Sequence, residues 1–217
     1  MQTASRMRQV GALLVGHVQS HGGRMPELWE PVYRPTLAQG ERRPYGGVEM
    51  VGQWWSSQYT YFFAFEQPPD HEMLRAPGHP GPMVNQWQGE AWPLRTEYFV
   101  SNAFYAEPAY WNPQTQSGET QFRTQRLDGM RYPAHKVLLF QHSHFLPGDA
   151  LPRYLWHEEG FENPVLWGDL SYQPIAADDV IPSVVNAWWW ERDPMPVLWE
   201  PGFLGDGTRD GILGRDR

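Results

Sequence analysis

Four residues have the types and positions for a metal site. His142 and His144 flank Ser143 directly after an apolar run, and His157 and Asp169 follow them. Alternate residues of an extended chain share a face, so the two histidines would point the same way. Imidazole nitrogens with a carboxylate oxygen suit zinc or iron. The plainer reading makes all four turn and rim residues. A second set closes the chain. Residues 205–216, GDGTRDGILGRD, carry Asp206, Asp210 and Asp216 between glycines. Calcium takes several oxygens on a flexible loop. The spacing is not that of an EF-hand, and Arg209 and Arg215 offset the charge. A solvated loop of Asp–Arg pairs therefore competes with calcium.

Catalysis finds little support in the same inventory. Glu158–Glu159 and Asp178–Asp179 are adjacent pairs, so their side chains diverge and do not supply a glycosidase pair. No G-x-S-x-G, H-E-x-x-H or phosphate-cradling glycine loop occurs. The residues point to a non-enzymatic protein with no catalytic group.

Twelve tryptophans are the oddest feature of the composition. Trp54, Trp55, Trp87, Trp92, Trp111 and the run Trp188, Trp189, Trp190 exceed what one small core holds. Exposed aromatics mark protein interfaces, or stack on sugar rings in carbohydrate-binding modules. The competing reading puts most of them over long loops, partly covered.

The chain has 217 residues, which suits one domain. Hydrophobic residues make up 41% and charged residues only 19%, with 21 glycines and 21 prolines forcing many turns. The formal net charge is -8 and the basic residues form no block, so a nucleic-acid partner is excluded. There is no cysteine, hence no disulfide, thiol chemistry or cysteine-bound zinc. No run of about 18 apolar residues occurs, and no signal peptide is visible.

The elements that would position these groups follow from periodicity. Ala4, Met7, Val10, Leu14 and Val18 recur at three- and four-residue steps, which predicts a helix over residues 3–20 with one apolar face. Gly22 and Gly23 stop it, and Pro26 follows. No N-terminal cap precedes the pattern, so the reading places the helix's upstream part before Met1. After residue 26 short apolar runs alternate with Pro/Gly turns, the texture of an antiparallel sheet with long loops. Residues 58–65 (QYTYFFAF), 98–100, 136–140 (KVLLF) and 164–167 (PVLW) read as strands. Residues 169–173 read as a continuation of the last strand beyond a bend at Gly168. Residues 181–190 are a short helix or an extended aromatic segment. One helix and a meander of strands make an α+β fold.

The segment ASRMRQVGALLVGHVQSHGGRMP, residues 4–26, resembles the second half of the long N-terminal helix of prepilin-like proteins. Arg8, Gln9, Val10, Gly11, His21, Gly22, Gly23, Arg24 and Pro26 carry the likeness. The relatives are type II secretion pseudopilins and prepilin-type cleavage/methylation proteins. Residues 132–179 resemble their C-terminal sheet: Pro133, the strand 136–140, then FENPVLWGDL. There the second strand ends in the signature F-x-D-G, preceded by a histidine that maps on His157. Here Leu170 stands in place of the glycine, and the His157–Asp169 spacing is longer than in the best-known subfamily.

The resemblance implies a single pilin-like domain: residues 1–26 the stalk helix and its end, 27–130 a variable insertion, 131–217 the C-terminal sheet and loop. It implies an apolar helix upstream that holds the chain in the membrane before assembly. It also implies export to the periplasm or cell surface, homo-oligomeric or other pilin-like partners, and calcium in the C-terminal loop as in the major pseudopilins. Met7, Val10, Leu14, Val18, Trp188, Trp189 and Trp190 are the expected packing and interface residues. A tryptophan-based carbohydrate-binding module and a His-centred metalloenzyme are the rival readings.

Overall fold

The computed structural model describes residues 2–25, 73–75, 77, 97–117, 119–121, 123–141, 160–181 and 208–217. Helix α1 spans Gln2–Ser20. Strands β1 (Tyr98–Val100), β2 (Val137–Gln141) and β4 (Val165–Trp167) form an antiparallel sheet in the order β1-β2-β4. Strands β3 (Glu162–Asn163) and β5 (Ile175–Ala176) pair as a second, two-stranded antiparallel ribbon. Short 3₁₀ turns carry much of the remaining described chain. The architecture is α+β.

Helix α1 forms where the apolar period of the sequence predicts it. Met7, Val10, Leu14 and Val18 are buried along its inner face, with Gly11 between them. That face lies on β4 and β2 and joins Leu138, Leu139, Leu166, Tyr98 and Val100 in one core. Burying four such side chains contributes on the order of 10 kcal/mol before the entropy of ordering is subtracted. The helix ends as its glycines demand. Gly22 and Gly23 adopt φ of 71° and 83°, and the Gly23 N–H donates to the Val18 carbonyl at 2.8 Å. This closure satisfies a carbonyl that the helix itself leaves open. The chain then runs beside residues 124–127: Met25 N–H donates to the Gln125 carbonyl at 3.1 Å and Leu127 N–H to the Gly23 carbonyl at 3.0 Å.

The sheet is covered on both faces, which is why KVLLF and PVLW are continuous apolar runs. Phe99, Val137, Phe140, Val165, Trp167 and Ile175 form a second core on the side away from α1. Leu138 and Leu139 both belong to the helix-side core although they are consecutive. The pairing register shifts between Val137 and Leu139, and such a bulge turns an extra residue toward one face.

Residues 169–173 do not continue β4. The chain reverses over Gly168–Leu170, and Tyr172 bridges back to Leu166 in antiparallel sense. Trp167 N–H donates to the Ser171 carbonyl at 2.9 Å and Gln173 N–H to the Val165 carbonyl at 3.1 Å. Leu170 takes φ of 65° to make this tight return. The strand expected at 58–65 and the segment 182–190 lie outside the described residues.

Candidate functional site

Three features of the described residues bear on function: the carboxylates expected to hold metal, the buried ion pair at the end of the chain, and the surface of α1.

The carboxylates separate. Asp169 is exposed in the β4 turn, where its Oδ1 accepts from the Ser171 N–H at 2.9 Å and the Ser171 hydroxyl at 2.6 Å. It works there as a turn brace. Asp210 is exposed with φ of 62°, and its Oδ1 accepts from Asn112 Nδ2 at 3.1 Å. Asp216 is not a residue of a solvated loop: it is 4% exposed. Its Oδ2 accepts from the Val137 N–H at 2.7 Å and its Oδ1 from the Thr208 hydroxyl. With both oxygens taken by the protein, Asp216 is a structural anchor in this conformation. Among the described residues no three His, Cys, Asp or Glu side chains gather around one point. His142, His144, His157 and Asp206 lie outside the described residues.

Lys136 completes the anchor. Its ammonium lies 3.4 Å from Asp216 Oδ2, and its side chain is fully buried. Burial pushes the Lys136 amine below its ordinary range, opposed by the Asp216 carboxylate. Around the pair the C-terminal strip is pinned by its backbone: Asp216 N–H donates to the His135 carbonyl at 2.8 Å, and Ile181 N–H to the Asp216 carbonyl at 2.9 Å. The flanking guanidiniums cover aromatic rings, Arg215 over Tyr132 at 4.1 Å and Arg217 over Trp167 at 5.4 Å. Of the described residues here, Asp216 pairs with Lys136, and Arg215 and Arg217 lie over aromatic rings. No signal in the sequence joins Lys136 to Asp216, since their positions are far apart along the chain.

The tryptophans divide. Trp111 and Trp167 are core residues, 0% and 1% exposed. Trp111, expected among surface aromatics, packs edge-on to Tyr110 with ring centroids 4.9 Å apart. Trp54, Trp55, Trp87, Trp92, Trp188, Trp189 and Trp190 lie outside the described residues.

Helix α1 presents two faces. Met7, Val10, Leu14 and Val18, expected to pack or to form an interface, are wholly taken up by the sheet. The outer face carries Gln9, Ala12, Leu13, Gly16 and Gln19, with Leu13 45% exposed. At the C-terminal end of the helix His17 and His21 stack, ring centroids 3.9 Å apart. Their four-residue spacing is the signal that could have found them, since His21 enters the sequence reading only among the residues of the prepilin-like likeness. No helix among the described residues is long and apolar enough to cross a membrane. Comparison with protein-family models, with curated proteins and with solved structures returned no significant match.

Proposed function

We propose that this chain is a structural subunit of a pilin-like or pseudopilus assembly, exported to the periplasm or cell surface, with no catalytic activity. The α+β arrangement is the frame for it: one N-terminal helix lies across an antiparallel sheet. The observation that carries the reading is the backbone of Leu170. In the prepilin-like signature F-x-D-G the last position is glycine. The resemblance puts that signature on Trp167-Gly168-Asp169-Leu170, with Trp167 for the Phe and Leu170 for the glycine, and Leu170 adopts φ of 65°, a left-handed conformation that glycine takes without cost. A second support is the helix stop, where both glycines of HGG adopt positive φ.

In this reading α1 is the lower part of an assembly stalk. Its inner face fastens the stalk to the head, and its outer face is left for neighbouring subunits. The proposal includes an apolar half-helix ahead of α1 that would anchor the chain in the membrane before assembly. Partners are further copies or other pilin-like subunits. Residues 27–130, the expected variable insertion, would distinguish this head from others of its class.

The test is physical fractionation of cells that produce the full-length protein. Filaments are sheared from the surface, and the fraction is probed for this chain. The expected result is the chain in the sheared fraction, shortened at its N-terminus by prepilin processing. Recovery only from the cytosol, unprocessed, would overturn the proposal.

A further inference from the structure

We infer that His17 and His21 form a binding site for one divalent transition-metal ion of the zinc and copper class, at the C-terminal end of α1. The inference is independent of the assembly role, and neither depends on the other's outcome. Residues four apart lie one above the other on a helix, and two imidazoles so placed chelate a single ion. The rings already stack at 3.9 Å with 19° between their planes. Two nitrogens bound to one zinc at about 2.0–2.1 Å and tetrahedral angles lie roughly 3.4 Å apart. To bind one ion the two rings must turn out of the stack until a nitrogen of each points at it, a rotation that a half-buried His17 and an exposed His21 can make.

The hydrogen bonds prepare the His21 ligand atom. Nδ1 of His21 lies 2.8 Å from the His17 carbonyl oxygen. A carbonyl only accepts, so Nδ1 carries the proton of the neutral ring and Nε2 keeps its lone pair. Metal-binding histidines commonly donate their second N–H to a backbone carbonyl, which fixes ring and tautomer. The Ser20 hydroxyl donates to the same carbonyl at 2.8 Å and sits 3.0 Å from Nδ1, steadying the ring.

The local field favours a cation. The last turn of a helix carries the negative end of its dipole, and α1 has no other basic residue there. Arg126 reaches the same end, donating to the Gly22 carbonyl at 2.6 Å. Its charge is balanced by Asp128, which accepts from Nε at 2.8 Å and from Nη2 at 2.6 Å. Two protein nitrogens leave the remaining positions of the ion to water or to a group from a neighbouring molecule.

The test is calorimetric titration of the full chain with Zn²⁺ near neutral pH, beside His17→Gln and His21→Gln. Loss of a supporting hydrogen bond alone weakens metal sites about 10- to 100-fold, so loss of either imidazole should weaken binding by more than about tenfold. Zn²⁺ should raise the Tm of the parent protein and leave that of the double variant unmoved, because an ion bound only to the native state stabilises it. His142→Gln with His144→Gln should retain the effect, which separates this site from that second closely spaced histidine pair. Absence of Zn²⁺ uptake by the parent protein would sink the inference, as would undiminished uptake by His17→Gln/His21→Gln. His21 is exposed, so His21→Gln folds and decides the matter if His17→Gln disturbs the helix.

Discussion

Two glycines of one helix make opposite demands. At Gly11 an added methyl would run into Leu166 Cδ2, with Leu170 Cδ2 also 3.5 Å away. Leu166 is fully buried in β4 and has no free space to swing into. At Gly16 nothing among the described residues lies within 4 Å of the same methyl. Alanine in a helix interior is favoured over glycine by about 1 kcal/mol, while overpacking a core costs about 1–3 kcal/mol. Gly11→Ala is therefore expected to lose about 1–2 kcal/mol in urea unfolding, and Gly16→Ala to gain up to about 1 kcal/mol. Equal effects at both sites would show that α1 does not sit against β4 as described. Leu170 is a closer contest. Its left-handed backbone costs about 1–2 kcal/mol in a residue with a Cβ, and its half-buried side chain contributes a similar amount against the core. Leu170→Gly should therefore change stability by less than about 1 kcal/mol, whereas Leu166→Ala, fully buried next to it, should cost about 2–5 kcal/mol.

Elements were legible where their signal is local. The period of Met7, Val10, Leu14 and Val18 places α1 and its buried face, and the Gly22–Gly23 stop is read from residue type alone. Strands 137–141 and 165–167 were legible because both of their faces are covered, leaving unbroken apolar runs. The reversal after β4 was not, since a leucine gives no warning that it will adopt positive φ. The burial of Asp216 was not legible for a related reason. Its GRD context reads as surface, and the partners that bury it, Lys136 and Val137 at the start of β2 among them, are distant in sequence. The two-histidine pair was legible by spacing, but the carbonyl that sets the His21 tautomer appears only once the helix end is built. The helix face itself gives a clean contrast at adjacent positions. Leu14→Ala should cost about 2–5 kcal/mol, because it opens a cavity between α1 and the sheet. Leu13→Gln, on the exposed face, should leave monomer stability within about 0.5 kcal/mol. If that face contacts neighbours in an assembly, the same Leu13→Gln should reduce the chain's recovery in sheared filaments while the purified head melts normally.

At the scale of the whole molecule, the Lys136–Asp216 pair joins the last residues of the chain to the central strand. The two partners are unequal. Lys136 has one described polar contact, the carboxylate at 3.4 Å, whereas Asp216 also receives the Val137 N–H and the Thr208 hydroxyl. Removing one member of a buried pair leaves the other uncompensated, at about 3–5 kcal/mol. Asp216→Leu should cost more than Lys136→Met, because it strands an ammonium, an amide and a hydroxyl together. The double variant should cost less than the two singles added, since each single leaves one uncompensated buried charge and the double leaves none. The pH dependence follows from the direction of the lysine shift. Burial lowers the Lys136 pKa in the folded state below its ordinary 10.5. Between the two values the unfolded chain holds a proton that the folded one has released, so stability rises with pH across that window. Below the folded value both states are protonated, and the burial penalty of the ammonium is present in full. Urea unfolding of the parent protein and Lys136→Met, compared from neutral to alkaline pH, isolates this contribution because other groups titrate alike in both. The parent-minus-variant stability should climb as pH approaches 10.5 from below. A difference that stays flat would mean that the ammonium is hydrated and the C-terminal anchor open, and a difference that falls would mean that Asp216 holds the proton on Lys136 more tightly than burial expels it.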